Sequence, residues 1–359
     1  MYRRAPARGC RLFLIMTLQE ALDLHQAGQF DAAEQAYRAH LQATPDDADA
    51  LHLLGVLRQQ RGDAPAALDL IRQAIALAPD HAQFHLSLGG ALLAQGETDA
   101  ARSSFEVALA LDPNRVETHS LLGHLALQAG EGSDAENRFR IGRRADEQDP
   151  LILYGLGNVY LDRREPANAA KFLSRAAELK PGDAGIQTSL GRALFDQGAF
   201  GLAERAFENA LKLRPDLGLA KLYLARSRLR QDKLEAAREL FAELAGSEVQ
   251  TLSANAGLGD VARKQGRIVQ ALKYYRRALA IDPAHSGAAN ACAWCMEQLG
   301  DLHGAAQYLA DGLRRTPEAD ELRRPLAELL DRLGRSDEAR SVRQAAAGAD
   351  SAQKSDRPS

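Results

Sequence analysis

The chain is short of aromatic residues, cysteines, long apolar runs and any surplus of one charge, and each shortage removes a class of protein. Aromatics make up 5% of the 359 residues although apolar types reach 45%. The apolar material is therefore mostly alanine and leucine, a mix that favours helices over strands. Lys+Arg 45 against Asp+Glu 48 leaves a net charge of −3. Such a balance gives no global attraction to nucleic acid or to an anionic membrane, so any electrostatic preference must be local. Three cysteines do not make a disulfide framework, and a reducing, cytoplasmic setting is the expectation. The run Leu12 to Met16 is too short for a secretory signal and far too short to span a bilayer. Cys10 has no apolar stretch before it, which argues against a lipoprotein signal. Thr17 with Glu20 three residues later reads as a capping box. Translation is accordingly expected to begin at Met16, with residues 1–15 an extension upstream of it.

What is present is a period. Pro45, Pro79 and Pro113, then Pro181 and Pro215, then Pro283 and Pro317 step by 34 residues, with a double step between runs. Gly55, Gly89, Gly123, Gly157 and Gly191 keep the same step, and Gly259 rejoins it. A second glycine lane runs through Gly28, Gly62, Gly96 and Gly130, then Gly198, Gly266, Gly300 and Gly334. One alanine register is filled without a gap, from Ala33 and Ala67 through Ala101, Ala135 and Ala169, then Ala203, Ala237, Ala271, Ala305 and Ala339. A repeat this regular is the mark of a stacked array.

Each lane has a physical reason. A glycine or alanine where two helices cross lets their backbones approach, and a larger side chain there would overpack by roughly 1–3 kcal/mol. The second glycine follows the first helix and suits a left-handed cap. Proline near the end of the repeat stops the second helix. Between these marks apolar residues recur at helical spacing, as in Leu51, Leu54 and Leu57 and then Leu68, Ile71 and Ile75.

Leu54-Gly55, Ala67, Ile71, Ala74 and Pro79, and again Leu88-Gly89, Ala101, Phe105, Ala108 and Pro113, resemble the signature of the tetratricopeptide repeat (TPR), a 34-residue helix–turn–helix unit. The resemblance covers residues 16–347. It implies an all-α, right-handed solenoid of about ten repeats, beginning near residues 14, 48, 82, 116, 150, 184, 218, 252, 286 and 320. The segment Asp47 to Gly55 is similar to bacterial TPR arrays attached to glycosyltransferase-like and sulfotransferase-like proteins, whose catalytic domain follows the repeats; none follows here. In the fourth repeat Glu147 stands where proline belongs, but Asp149-Pro150 suits the start of the next helix. The seventh repeat has Ala225, Asp232 and Val249 in place of both glycines and the proline, so residues 245–253 are expected to form a flexible joint. Residues 348–359 are polar and aperiodic, and read as a disordered tail.

The repeats leave little room for an enzyme, because each hairpin needs its apolar face to bury its neighbour. Cys292-Ala293-Trp294-Cys295 has a redox-like spacing, with His285 and His303 flanking it. It falls mid-helix, however, and Cys292 holds the core register of Leu54 and Leu88. No phosphate-binding glycine loop and no nucleophile–histidine–carboxylate pattern is present. The chain reads as no enzyme, with no cofactor and no metal site.

By the resemblance, the first helix of each repeat lines a concave groove. In the first three repeats that face offers Leu18, Leu22, Val56, Leu86 and Leu93, with His25, His52, Gln59 and Gln60 among them. Further along it presents Tyr154 and Asn158, then Arg192 and Phe195, then Arg226 and Arg230. Arg263, Lys264 and Trp294 complete the set. Arg192 and Arg226 share one register in adjacent repeats, and such a cluster favours a carboxylate-bearing peptide. Asp162, Asp196 and Asp260 are the local acids that could instead neutralise it. A TPR carboxylate clamp needs a lysine where Tyr154 stands, so that mode is rejected. The expected function is an interaction scaffold or adaptor that holds a partner peptide or helix, acidic at the basic end, without nucleic acid or membrane span. Its expected state is a monomer or a weak self-associate. Two alternatives remain: a substrate-presenting subunit for a separately encoded transferase, and a metal or redox role for Cys292 and Cys295.

Overall fold

A computed structural model of the chain describes residues 17–247 and 250–344. The expected extension at 1–15, the tail at 348–359 and residues 248–249 of the expected joint lie outside the described residues. The described chain is all-helical, with no strand, and contact clustering divides it into two compact bodies that meet in sequence at Arg163 and Arg164.

In the first body α1 (Leu18–Gln26) pairs with α2 (Phe30–Ala43), and α3 (Ala48–Gln60) with α4 (Ala64–Leu77). α5 (Ala82–Ala94) pairs with α6 (Thr98–Leu111), and α7 (Val116–Gln128) with α8 (Gly132–Ala145); α9 (Pro150–Asp162) closes the body. The second body opens with α10 (Pro166–Leu179), followed by the pairs α11 (Ala184–Asp196) with α12 (Phe200–Leu213) and α13 (Gly218–Arg230) with α14 (Leu234–Ala245). α15 (Thr251–Lys264) then pairs with α16 (Ile268–Ile281) and α17 (Ser286–Gln298) with α18 (Leu302–Arg315). α19 (Asp320–Arg332) and a last helix over 336–344 (α20) end it, with Ala339 packed into the same core as Leu326 and Leu330. No helix among the described residues is long and apolar enough to cross a membrane.

The helix starts follow local chemistry. Thr17 and Glu20 form both arms of a capping box. Asp149 Oδ1 accepts from the amides of Leu151 (2.9 Å) and Ile152 (2.8 Å), with Pro150 opening α9 behind it. Asp47, Asp63, Asp183 and Asp301 cap their helices in the same way, each carboxylate taking amides that the first turn leaves unpaired.

Inside most hairpins a ring of the second helix fills the space that a small residue of the first leaves open, and Ile71 does the same opposite Gly55. A Cβ on Gly191 would stand 2.5 Å from the Phe207 ring, one on Gly123 2.6 Å from Phe139, and one on Gly259 2.5 Å from Tyr275. Phe105, Phe139, Phe207, Phe241 and Tyr275 are buried completely or nearly so, which stabilises each hairpin by roughly 2–3 kcal/mol per ring. The alanine register from Ala33 to Ala339 has no exposed surface at any of its ten positions.

Between the two helices of a pair the chain turns through a left-handed residue. Glycine fills that position at Gly28, Gly62, Gly96, Gly130, Gly198, Gly266, Gly300 and Gly334, with φ between 73° and 83°. Asp232, and also Arg164, adopt the same conformation with φ 58°. A side chain there strains the backbone by roughly 1–2 kcal/mol, so packing holds the turn where the residue type opposes it. Arg164→Gly is expected to stabilise the second body by about 0.5–1 kcal/mol, the relief of strain less the entropy of a freer unfolded chain. A higher urea midpoint at unchanged slope would show this; a lower one would mean that the Arg164 side chain contributes more than its backbone costs.

Candidate functional site

The first helices of successive pairs lie against one another, α11 on α13 and α13 on α15 in the second body, and α1 on α3 and α3 on α5 in the first. The residues expected to bind are carried on first helices of this kind: in the first body α9 holds Tyr154 and Asn158, and in the second body α11, α13, α15 and α17 hold the rest.

In the second body an aromatic row runs across α11, α12 and α13. The Phe195 ring meets Phe200 edge-on at 5.3 Å and Tyr223 edge-on at 5.5 Å, and Tyr223 stacks on the buried Phe207 at 5.7 Å. Two arginines close the row from above. The Arg226 guanidinium lies 5.4 Å from the Tyr223 ring centre, and that of Arg230 lies 4.5 Å from the ring centre of Phe200. Arg192, half-buried, sits on α11 one turn before Phe195. No carboxylate of a described residue pairs with Arg192, Arg226 or Arg230. Further on, Arg263 lies 5.5 Å from the Trp294 ring and 3.4 Å from Asp260, and Lys264 pairs with Asp232. The local acids therefore neutralise the α15 cations and leave those of α11 and α13.

Phe200 and Tyr223 complete this row, and neither was among the residues picked from the sequence. Phe200 opens α12 as Phe30 opens α2, and Phe30 meets His25 edge-on at 5.9 Å as Phe200 meets Phe195. The recurrence of that pair at one register was the available signal.

Other arginines on the same helices serve the stack itself. Arg228, between Arg226 and Arg230 in sequence, turns the other way and donates to Glu204 (2.9 Å) and Glu208 (2.9 Å). Glu204 also accepts from Gln231 (2.8 Å) and Lys233 (2.6 Å). Burial opposes ionisation of Glu204, but the hydrogen bonds from Lys233, Arg228 and Gln231 outweigh it and hold its pKa below the ordinary carboxylate value. In the first body Glu34 takes Arg58 and Arg61 at the same register, and Glu136 takes Arg163 at 2.6 Å. These pairs tie one hairpin to the next.

Leu86 lies apart from the expected apolar face: it is buried in a core with Leu68, Ile71 and Leu122, and His25 and His52 are buried as well. Leu18, Leu22, Val56 and Leu93 stay half-buried. His52 stacks on Phe84 at 4.7 Å, with Nε2 2.8 Å from the Ser87 hydroxyl; His81 stacks on Phe84 at 4.1 Å. Burial, reinforced by His81, depresses the His52 pKa to about 4. Tyr154 lies 5.6 Å from the His124 ring, and Asn158 is half-buried on the same helix.

Cys292 and Cys295 are fully buried on α17 in a core with Ala271, Leu272 and Tyr275. Burial pushes the Cys292 thiol up to about 12, and Cys295 is raised for the same reason. His285 Nδ1 caps α17 by accepting from the Ala288 amide at 2.9 Å. Among the described residues no group of three His, Cys, Asp or Glu side chains is placed to hold a metal ion.

Residues 16–221, more than half of the chain, match the family described as the cilia and flagella-associated protein 70 C-terminal domain. Residues 224–286, 262–313 and 321–345 match three families each described as tetratricopeptide repeat. No curated protein matches the chain in sequence. Many solved structures are similar in fold. One is pilF from Pseudomonas aeruginosa, 18% identical with a TM-score of 0.52 over 61% of this chain and 97% of that chain. Another is the APC/C hetero-tetramer Cut9–Hcn1, 16% identical with a TM-score of 0.53 over 87% of this chain and 62% of that chain.

Two expectations follow from the buried groups. His52 binds no proton in the folded chain until about pH 4, whereas an unfolded histidine takes one near 6.5. Its contribution is complete above pH 6.5 and fades as pH falls towards 4, by up to about 3 kcal/mol. An imidazole NMR titration of His52 with a midpoint near 6.5 would contradict this. In a Cys10→Ser variant both remaining thiols should resist a thiol-specific reagent until the helices unfold; prompt labelling of the native chain would show that α17 is open.

Proposed function

The chain belongs to the tetratricopeptide-repeat family, and from that premise we propose that it is a non-catalytic, cytoplasmic scaffold that holds an acidic segment of a partner protein against α11 and α13. The observation that carries this reading is the pair Arg226 and Arg230, seated on Tyr223 and Phe200 with no carboxylate of a described residue beside them. A ring satisfies the face of a guanidinium but none of its in-plane N–H donors. The donors remain available for bidentate bonds to a carboxylate, which are roughly twice as strong as neutral hydrogen bonds. The ring contacts also restrict both side chains beforehand, so a bound carboxylate orders less.

Phe195 and Arg192 extend the row and supply an apolar anchor and a third cation for the same segment. Arg263, Lys264 and Trp294 beyond α14 are proposed as secondary contacts for it, and Tyr154 and Asn158 as a separate contact of the first body. The charges of Arg263 and Lys264 are already met in part by Asp260 and Asp232. The coupled reading, in which the array presents substrates to a separately encoded transferase, uses the same surface. It differs only in whether an enzyme co-purifies.

The test is an affinity capture that compares the natural chain with Arg226→Glu/Arg230→Glu. The partner is expected to be lost by the variant at equal helicity, and its binding to the natural chain to weaken by at least about tenfold when salt is raised from 0.05 to about 0.5 M. A partner that survives both changes would refute the acidic-segment reading while leaving the scaffold intact.

A further inference from the structure

The strongest cationic surface outside that row belongs to α16. Its sequence, Ile268 to Ile281, contains no aspartate or glutamate and carries Lys273, Arg276 and Arg277. Residues 269, 273, 276 and 280 fall three or four apart and share a face. Val269 on that face is 69% exposed, and Ile281 at the end of the helix is 50% exposed. Ile281 lies about a third of a turn round the helix from Val269, so the face itself combines one exposed valine with cations that no carboxylate of the same helix answers.

Two of the cations are held in place. Arg276 Nε donates to the Tyr308 hydroxyl of α18 at 2.7 Å, with its guanidinium 5.6 Å from the same ring, and Arg277 lies 5.6 Å from the Tyr274 ring. Neither forms an ion pair with a described residue, and nor does Lys273. Two carboxylates of the neighbouring helices already have partners of their own. Glu235 of α14 pairs with Arg238, and Asp311 of α18 pairs with Arg314.

We propose that the outer face of α16, with Tyr308, is a second docking surface that receives an acidic amphipathic segment of a partner protein. Charge complementarity chooses the sign of the occupant, and the exposed valine offers a contact for an apolar side chain of it. Residues 269 and 280 bound the face about 17 Å apart along the helix at about 1.5 Å per residue, which suits a helical segment of about three turns. A polyanion such as RNA has no aliphatic side chain to set against Val269, whereas an amphipathic peptide has. The surface is distinct from the α11–α13 row, so the two could be occupied at once.

The probe is a fluorescein-labelled peptide of about 16 residues with glutamate and leucine at helical spacing, titrated into the full chain by anisotropy and calorimetry. Two sites are expected. Lys273→Gln/Arg277→Gln should weaken one by at least about tenfold and leave the other. Arg226→Gln/Arg230→Gln should do the converse. Val269→Asp, at a position already exposed, should weaken the α16 site without changing helicity, and it decides the matter if the double variant folds poorly. Binding that ignores the α16 variants and vanishes in the Arg226/Arg230 variant overturns this proposal and leaves the first surface standing. Loss only in the α16 variants supports this surface and removes the other. A poly-uridine RNA that binds with the same dependence on Lys273 and Arg277, while the peptide does not, also overturns it.

Discussion

The distance at which two helices of a hairpin can cross governs the rest of this molecule. At Gly123, Gly191 and Gly259 there is no room for a Cβ, because the rings of Phe139, Phe207 and Tyr275 already occupy it. The ring makes the hairpin stiff, and the alanines from Ala33 to Ala339 let the second helix settle at the same depth each time. A leucine at either place would push the helices apart and tilt every hairpin that follows. Because the crossing is constant, the outward registers fall at constant places on the surface. Most of those registers carry little of the packing and can change from one repeat to the next, Leu86 and His52 being buried exceptions. Binding chemistry can therefore vary along the array without disturbing the stack.

Local conformational preference ranks below this packing. The turn inside each hairpin needs a left-handed residue, and the eight glycines supply it without strain. Arg164 and Asp232 show that the turn forms even where the residue resists it. The carboxylates at the other turns act in the opposite sense: Asp149 and Asp183 agree with the packing by meeting exposed amides at the start of α9 and α11. Agreement at most positions supplies the surplus that tolerates two strained turns.

The fold was legible in the sequence because its determinants are few and periodic. Glycine, alanine and proline lanes are visible in a string of letters, and each corresponds to one steric demand. The candidate site was less legible, for physical reasons that particular residues illustrate. Arg226, Arg228 and Arg230 are indistinguishable by type and nearly so by position. Only the structure separates Arg228, tied to Glu204 and Glu208, from its two neighbours on aromatic faces. Tyr223 stands beside the expected face of α13 and Phe200 opens the second helix of its hairpin, and ring size lets both reach Phe195. Leu86 and His52 share one register and are both buried, His52 against the Phe84 ring.

The separation between paired and stacked arginines gives the surface its logic. Arg58, Arg61, Arg163 and Arg228 meet buried or half-buried glutamates between hairpins. Removing one partner would leave a carboxylate poorly solvated, so those arginines are fixed in use. Arg226 and Arg230 on α13, and Arg277 on α16, rest on rings instead; Arg276 does so too while giving one donor to Tyr308. A ring contact is worth roughly 0.5–2 kcal/mol and does not consume the in-plane donors. That contact offsets part of the entropy an unrestrained side chain would keep. Ordering a cation while leaving its donors unmet is the arrangement that lowers the cost of binding an anion later. Its appearance on both α13 and α16 is what supports the proposal of two basic docking surfaces for acidic segments over a reading of scattered surface charge.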